Sequence, residues 1–263
     1  MRAGRDARLG VAERRARLVA ALADRPVMTA REVRVARAFG AMWRAAADRT
    51  RAASTLVAAA DPLRVDDAAS AGDAADAAAK ITAEQAGAVV SEAQRLAAAA
   101  QVSWGLVNPL ATAVVARLGQ RIVHVTDAER ARIMGVLDQA YRDGLSVRDA
   151  ARLVERTGVA GRARALAIAR TEMNAASNLA SLAVVRAGNY EAARAGDEPL
   201  FERKRWLATG DGRTRPSHVA ANGQTVALAG RFVVGSGLLD CPHDPTGPAE
   251  EVVNCRCTIV YVE

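Results

Sequence analysis

The most constraining feature of this 263-residue chain is a change of sequence character near residue 200. Before that point, Ala-rich segments carry apolar residues at helical spacing, and Ala with straight-chain residues favours helices. After it, short apolar runs alternate with clusters of Gly, Pro, Asn and Asp, as in RKRWLAT, QTVAL, RFVVG and CTIVYV. The sequence therefore predicts an α+β protein, in which a mainly helical bundle over the N-terminal two-thirds precedes a small C-terminal α+β domain of short strands.

Helix-start signals punctuate the first part of the chain. Thr29, Thr82 and Thr126 each open the S/T-x-x-E/Q form of a capping box, as T-A-R-E, T-A-E-Q and T-D-A-E. Ser146 is a further N-cap candidate, and a long helix is expected from about residue 162 to residue 187. These signals predict a series of helices separated by short turns.

Differences in charge and composition suggest four segments. The N-terminal segment is Arg-rich and helical, with Trp43 at helical core spacing, and an acidic Ala-rich stretch follows it. We therefore expect a basic helical arm at 1–60, a linker at 61–81, a helical bundle at 82–199 and a small α+β domain at 200–263.

Composition excludes several classes of protein. Half of the residues are apolar but only 3% are aromatic, so a core must be built mainly from Ala, Val and Leu. No run of uncharged apolar residues is long enough to span a membrane, and the charged N-terminus predicts no signal peptide. An odd count of three cysteines argues against a disulfide framework, and we expect a reducing compartment during folding.

The positive charge is concentrated at the N-terminus. Residues 1–51 contain 13 Arg and 5 acidic residues, a net of +8, whereas the remainder carries 23 basic and 24 acidic residues. One interpretation is an arm that contacts DNA phosphates or an acidic partner. The alternative is a solvated helix face in a chain that uses Arg for nearly every positive charge.

The C-terminal segment contains all three cysteines and two of the three histidines. Cys255 and Cys257 lie one residue apart, and in an extended segment both sulfurs point to the same side. His218 follows a turn that can fold over this segment, so the three residues form a candidate zinc site. Candidates for a fourth ligand are Cys241, His243, an acid such as Asp211, or water.

Alternatives without a metal remain for these residues. Free cysteines are often small buried hydrophobic residues, and His218 would then cap a helix or form a hydrogen bond to a carbonyl group.

Upstream, a polar stripe on the long helix is formed by Arg170, Glu172, Asn174 and Asn178. This stripe either forms hydrogen bonds that dock the C-terminal domain onto the helix or is the solvent-exposed face of an amphipathic helix.

Complete catalytic motifs are absent from the sequence. It contains no G-x-G-x-x-G, Walker, G-x-S-x-G or H-E-x-x-H pattern. The enzymatic alternative is a nuclease or transferase in which His218 acts as general base and Asp211 and Arg215 assist at a phosphate.

Five ordered motifs together resemble a known family. They read IARTEMNAASN, WLATGDGRTRPSHVAANGQ, RFVVG, CPHDPTGPAEEVVNCRC and its final N-C-R-C. In this order and spacing they resemble the phage head morphogenesis, or minor head, family of Mu F-like proteins, over roughly residues 80–263. One branch of that family has C-x-x-C where this chain has Arg215 and His218, so a four-thiol site would here have one imidazole and an uncertain fourth ligand.

The resemblance implies a non-enzymatic protein of the virion or procapsid, present in the host cytoplasm during assembly. Its expected partners are the portal protein and other capsid components, with DNA contacted through residues 1–51, and no membrane. It implies no catalytic and no cofactor-binding residues, and a possible zinc ion. A structural polar cluster is also expected, formed by Asp211, Arg213, Arg215, Arg170 and Glu172.

Overall fold

The computed structural model describes residues 9–24, 87–103, 105, 107, 110, 111 and 118–262. Within them the helices with defined bounds are α1 Val11–Ala23, α2 Gly87–Ala100, α3 Asp127–Arg142, α4 Val147–Arg156, α5 Arg162–Ala195, α6 Pro216–Ala221 and α7 Ala249–Val252. The strands are β1 Arg203–Leu207, β2 Thr225–Ala227, β3 Phe232–Val234, β4 Gly237–Leu239 and β5 Thr258–Val262. The α+β prediction, with helices first and short antiparallel strands last, is confirmed.

Helix α5 is the central element of the bundle. Helices α2 and α4 pack against it, α1 packs on α2, and α3 contacts both α2 and α4. Its core contacts are made largely by small side chains, Ala165, Ala169, Ala176 and Ala180. Residues 171–178 are buried in succession, so this part of the helix is enclosed on all sides rather than amphipathic.

The helix-start signals within the described region are confirmed. Thr126 forms a full capping box with Glu129, whose pKa is lowered by the hydrogen bond from the Thr126 backbone N–H. The Ser146 hydroxyl accepts a hydrogen bond from the Asp149 N–H at the start of α4. Helix α5 extends beyond the predicted end at residue 187 and stops at Gly196, where φ of +73° is accessible to glycine.

Helix α1 is held to the bundle by buried arginines. Arg14 is 1% exposed and donates to the Ala100 carbonyl at 2.8 Å and to Glu191 at 3.1 Å. Arg15 donates to the Leu200 and Pro199 carbonyls at 2.6 and 2.7 Å. At least two of the N-terminal arginines therefore have internal partners and do not present their charge to solvent.

The C-terminal region contains two small sheets. One is antiparallel with the order β2-β1-β5, and the other is the hairpin β3-β4. Strand β5 is buried along its whole length and packs against α5, while Trp206 and Phe232 fill the space between the sheets. Strand β4 and the short helices α6 and α7 were not predicted, because three to six residues are too few to show periodicity.

Several sequence predictions concern residues outside those described. They are the capping boxes at Thr29 and Thr82, the core assignment of Trp43, the linker at 61–81 and most of the basic arm. None of the helices in the described segments is both long and apolar enough to cross a membrane.

Candidate metal centre

Three short elements bring the predicted metal ligands together. His218 lies on α6, which begins with Pro216 at its first position, where a missing N–H costs no helical hydrogen bond. Cys255 and Cys257 lie in the segment between α7 and β5. Asn254, at a left-handed φ of +59°, turns the chain just before the first cysteine.

The imidazole of His218 faces both sulfurs. Its Nδ1 lies 3.3 Å from the Cys257 sulfur and 3.5 Å from the Cys255 sulfur. One ligand atom from each residue falls within 4.8 Å of the others, and all three side chains are 2–3% exposed. The sequence prediction that these residues converge therefore agrees with the geometry.

Glu251, on α7, fixes the orientation of the histidine. Its carboxylate lies 3.0 Å from His218 Nε2 and also accepts a hydrogen bond of 2.7 Å from the Ser217 hydroxyl. Because a carboxylate can only accept, Glu251 accepts an N–H from Nε2, and Nδ1 is directed at the sulfurs, where it serves as an N–H donor to a thiolate or, once that proton is lost, as a metal ligand. A histidine held by a carboxylate in this way is typical of metal-binding histidines.

The pKa values of the two thiols are shifted in opposite directions. A hydrogen bond from Cys255 and then one from His218 lower the pKa of Cys257. Burial and the neighbouring Cys257 raise the pKa of Cys255. The Trp206 indole N–H also lowers the Cys257 pKa. The pair therefore favours one thiolate beside the imidazole, and a thiolate is the form that binds metals.

The candidates for a fourth ligand have other partners. His243 approaches the Cys255 carbonyl through Nε2 at 2.9 Å, and its Nδ1 lies 3.4 Å from the Asn178 amide. Asp211 receives a hydrogen bond of 2.6 Å from Arg256. Cys241 is fully buried, burial raises its pKa, and it is not part of the group that converges on His218.

A small cavity adjoins the three converging residues. It has a volume of about 20 Å³, enough for about one water molecule, and His218, Cys255 and Cys257 form part of its wall. In a tetrahedral zinc site, nitrogen and sulfur ligands lie about 3.6 Å apart. The 3.3 and 3.5 Å found here fit that spacing, so this group can hold a metal ion with three protein ligands.

The predicted polar cluster is only partly assembled. Asp211 pairs with Arg256 and, at 3.8 Å, with Arg213. Arg215 instead donates to the Val253 carbonyl at 2.6 Å. Two further members of the predicted cluster have separate partners, since Arg170 donates to Asn254 and Glu172 accepts from the Gly119 N–H.

Sequence reasoning missed the role of Glu251, because a glutamate in P-A-E-E carries no pattern that distinguishes it from a surface residue.

Asn178 belongs to the polar stripe on α5 that the sequence indicated. Its carbonyl oxygen accepts from the Thr258 hydroxyl and the Ile259 N–H, at 2.9 and 3.2 Å. The docking interpretation of the stripe is thus confirmed for Asn178.

Comparisons with known proteins identify a family and a curated relative that this chain resembles. The family model described as Phage Mu protein F like protein matches residues 131–260. An NAD(+)–arginine ADP-ribosyltransferase, EFV, of Enterococcus faecalis is 30% identical over 146 residues, which are 56% of this chain and 28% of that enzyme. The chain thus spans little more than a quarter of the enzyme's length, and no solved structure matches. The matched region holds α4, α5 and the cysteine–histidine group, and it supports the assignment of this chain to the Phage Mu F-like family of head morphogenesis proteins.

Proposed function

We propose that this chain is a non-enzymatic minor head protein that acts in the virion or procapsid and binds the portal or inner capsid. The observation that carries the proposal is the family match over residues 131–260. Those residues include most of the bundle and nearly all of the C-terminal region, which share one continuous core. Assembly in the host cytoplasm, and a role in genome packaging or delivery, follow from the same relationship.

The proposal includes DNA contact through residues 1–51. Their net charge of +8 supports it. Arg14 and Arg15 are excluded from this contact because both are buried and bonded to the bundle. The charge available for DNA therefore belongs to the other arginines of the segment.

Co-purification tests the structural role. The tagged chain is expressed together with the portal protein and capsid components of its own phage, and particles are isolated with and without it. We expect the chain in the portal-containing fraction, identified by mass spectrometry. Its absence from every particle fraction, with abundant free protein, would contradict the proposal.

We further propose that His218, Cys255 and Cys257 hold a zinc ion and that a water molecule completes the coordination. Such an ion would supply binding energy that links α6 to the segment before β5, where loops connect elements of only three to six residues. The role is structural. The supporting observations are the spacing of the three ligand atoms and the carboxylate behind His218.

Elemental analysis of the purified full chain tests the metal proposal. We expect about one zinc per chain in the wild type and its loss in Cys255→Ser. Cys241→Ser is the matched control, because this equally buried cysteine lies outside the group. Equal zinc in wild type and Cys255→Ser, or loss in Cys241→Ser alone, would overturn the assignment.

A second candidate function is enzymatic, and the similarity to an ADP-ribosyltransferase favours it. It would use Asp211, Arg215 and His218, but these side chains face Arg256, the Val253 carbonyl and the two thiols. Transfer of ADP-ribose from NAD to arginine, and cleavage of DNA, are measured for wild type and His218→Ala. Turnover by the wild type that His218→Ala lacks would favour the enzyme over the structural protein.

A further inference from the structure

Four arginines from three separate sequence segments meet at one surface next to the cysteine–histidine group. Arg213, Arg215 and Arg256 all line the small cavity, together with Asn254. Arg170, from the middle of the bundle, donates to the Asn254 side chain. We call these four residues the arginine cluster. It lies in the C-terminal region and on α5, outside residues 1–51.

The charge of the arginine cluster is not balanced. Within the described part of the chain, the carboxylate of Asp211 pairs with two of its members, Arg256 and Arg213. Among the residues that the structure describes, Arg170 and Arg215 form no ion pair and donate to uncharged oxygens. Burial lowers the pKa of Arg170, and the nearby charges of Arg256 and Arg213 lower it further. An anion bound here would relieve this repulsion.

The surroundings of the cluster favour a phosphate over a protein surface. The cavity wall includes Thr209, Thr214 and Asn254, which offer hydroxyl and amide groups, and none of the described residues that line it has an aliphatic or aromatic hydrocarbon side chain. Protein–protein interfaces centre on apolar and aromatic residues, whereas nucleic-acid interfaces are polar and strongly basic. The planar guanidinium fork also matches phosphate oxygens in a bidentate arrangement.

We infer that the arginine cluster binds backbone phosphates of DNA and forms a second DNA contact, separate from residues 1–51. This extends the DNA-binding part of the proposed function, which assigned contact to the N-terminal segment alone. The cavity itself is the size of one water, so the phosphates would lie outside it, against the exposed Arg213 and the partly buried guanidinium groups of the other three arginines. Arg213, whose side chain is 81% exposed, is the member most available to a ligand.

Binding of the full-length chain to a short fluorescent DNA duplex, measured over a series of salt concentrations, tests this inference. The first variant is Arg213→Gln, since this exposed side chain has only a 3.8 Å ion pair to lose. The second variant adds Arg170→Gln. Arg152→Gln is the matched control, because Arg152 is 63% exposed and pairs with Asp149 on α4. Thermal melting confirms that each variant is folded.

Each lost phosphate contact should reduce the slope of log affinity against log salt by about 0.9, which corresponds to roughly eightfold weaker binding at 0.1 M salt. Arg213→Lys should retain most of the slope because it keeps the charge. Folded cluster variants that bind DNA as the wild type does would overturn the inference. If Arg34→Gln with Arg37→Gln then abolished binding, the N-terminal contact would still stand.

Two further results would also count against the cluster as a phosphate site. A wild-type chain that binds no DNA would remove both DNA contacts, while leaving the portal experiment unaffected. Cluster variants that keep DNA binding but lose the portal protein would assign the arginines to an acidic protein surface instead.

Discussion

At the scale of single residues, Lys204 is an unusual charge in the core. It lies in the middle of β1 with no exposed surface, and its ammonium group has no hydrogen-bond partner among the described residues. The nearest carboxylate oxygen belongs to Asp240, at 3.8 Å, and the Phe232 ring lies 5.6 Å away. Burial lowers the pKa of Lys204, and Asp240 opposes this effect only in part. The charged lysine therefore costs the folded state free energy.

Replacing Lys204 with Met should stabilise the protein by about 1–3 kcal/mol at neutral pH. Asp240 keeps Arg186 and Arg231 at 3.4 and 3.7 Å, so its charge stays compensated. Since the folded-state pKa of Lys204 is depressed, its cost is greatest at low pH. The cost fades as the pH rises toward the lysine pKa of about 10.4 in the unfolded chain. Urea unfolding curves of both proteins at pH 7 and above pH 10 measure the difference.

Arg203→Met serves as the control for this prediction, because Arg203 is exposed on the same strand. A surface change of this kind should alter the free energy of unfolding by no more than about 0.5 kcal/mol. If Lys204→Met were less stable than the wild type at pH 7, its pairing with Asp240 would outweigh the cost of burial, contrary to the prediction.

Residue type alone predicted the three candidate metal ligands, but not the carboxylate that orients the histidine among them. A cysteine pair and a histidine are recognisable ligands wherever they occur, so His218, Cys255 and Cys257 could be named from sequence. Glu251 could not, because its role depends on α7 placing it behind the imidazole. Cys241 was included on residue type alone, and only the fold shows that it lies outside the group.

At the scale of elements, two mid-helix glycines have different surroundings. Gly188 lies in α5, where an added Cβ would meet Leu200 at 2.2 Å and Val102 at 3.0 Å. Both of those side chains are buried and have little room to move. Gly135 lies in α3, with nothing within 4 Å of the same position. The first glycine allows close packing on α5, and the second has no such role.

Substituting each glycine with Ala should therefore have opposite effects. Ala favours a helix interior by about 1 kcal/mol over Gly, so Gly135→Ala should stabilise the protein by about that amount. In Gly188→Ala the same gain is exceeded by overpacking, which costs about 1–3 kcal/mol, and a net loss near 1 kcal/mol is expected. Chemical denaturation followed by circular dichroism measures both. A stabilised Gly188→Ala would mean that Leu200 can move aside.

Element prediction from sequence succeeded where a local interaction decides the structure. The caps at Thr126 and Ser146 depend on residues three positions apart, so the pattern is visible in sequence. The end of α5 was placed too early, at about residue 187. The helix continues through Gly188, which packs closely against Leu200, to Ala195. Strand β4 reads G-L-L and is specified by its pairing with β3, which no local signal shows.

At the scale of the whole molecule, the helical bundle and the C-terminal region are connected through buried polar contacts on α5. Asn178 accepts from Thr258 and Ile259 at the start of β5 and also lies within 3.4 Å of the Cys257 carbonyl. One turn below, the Ser181 hydroxyl lies 2.9 Å from the hydroxyl of Tyr261. These contacts join the two regions into one core, so unfolding of one should destabilise the other.

Asn178→Ala should reduce the free energy of unfolding by about 2–4 kcal/mol, because it leaves the buried Thr258 hydroxyl and Ile259 N–H without an acceptor. Hydrogen exchange should increase in β1 and β5 more than in α3 and α4. Asn174→Ala is the matched control, since Asn174 lies one turn earlier on α5, is also buried, and forms no side-chain hydrogen bond with another described residue. Urea titration with exchange mass spectrometry measures both, and equal losses in the two variants would contradict a specific linking role for Asn178.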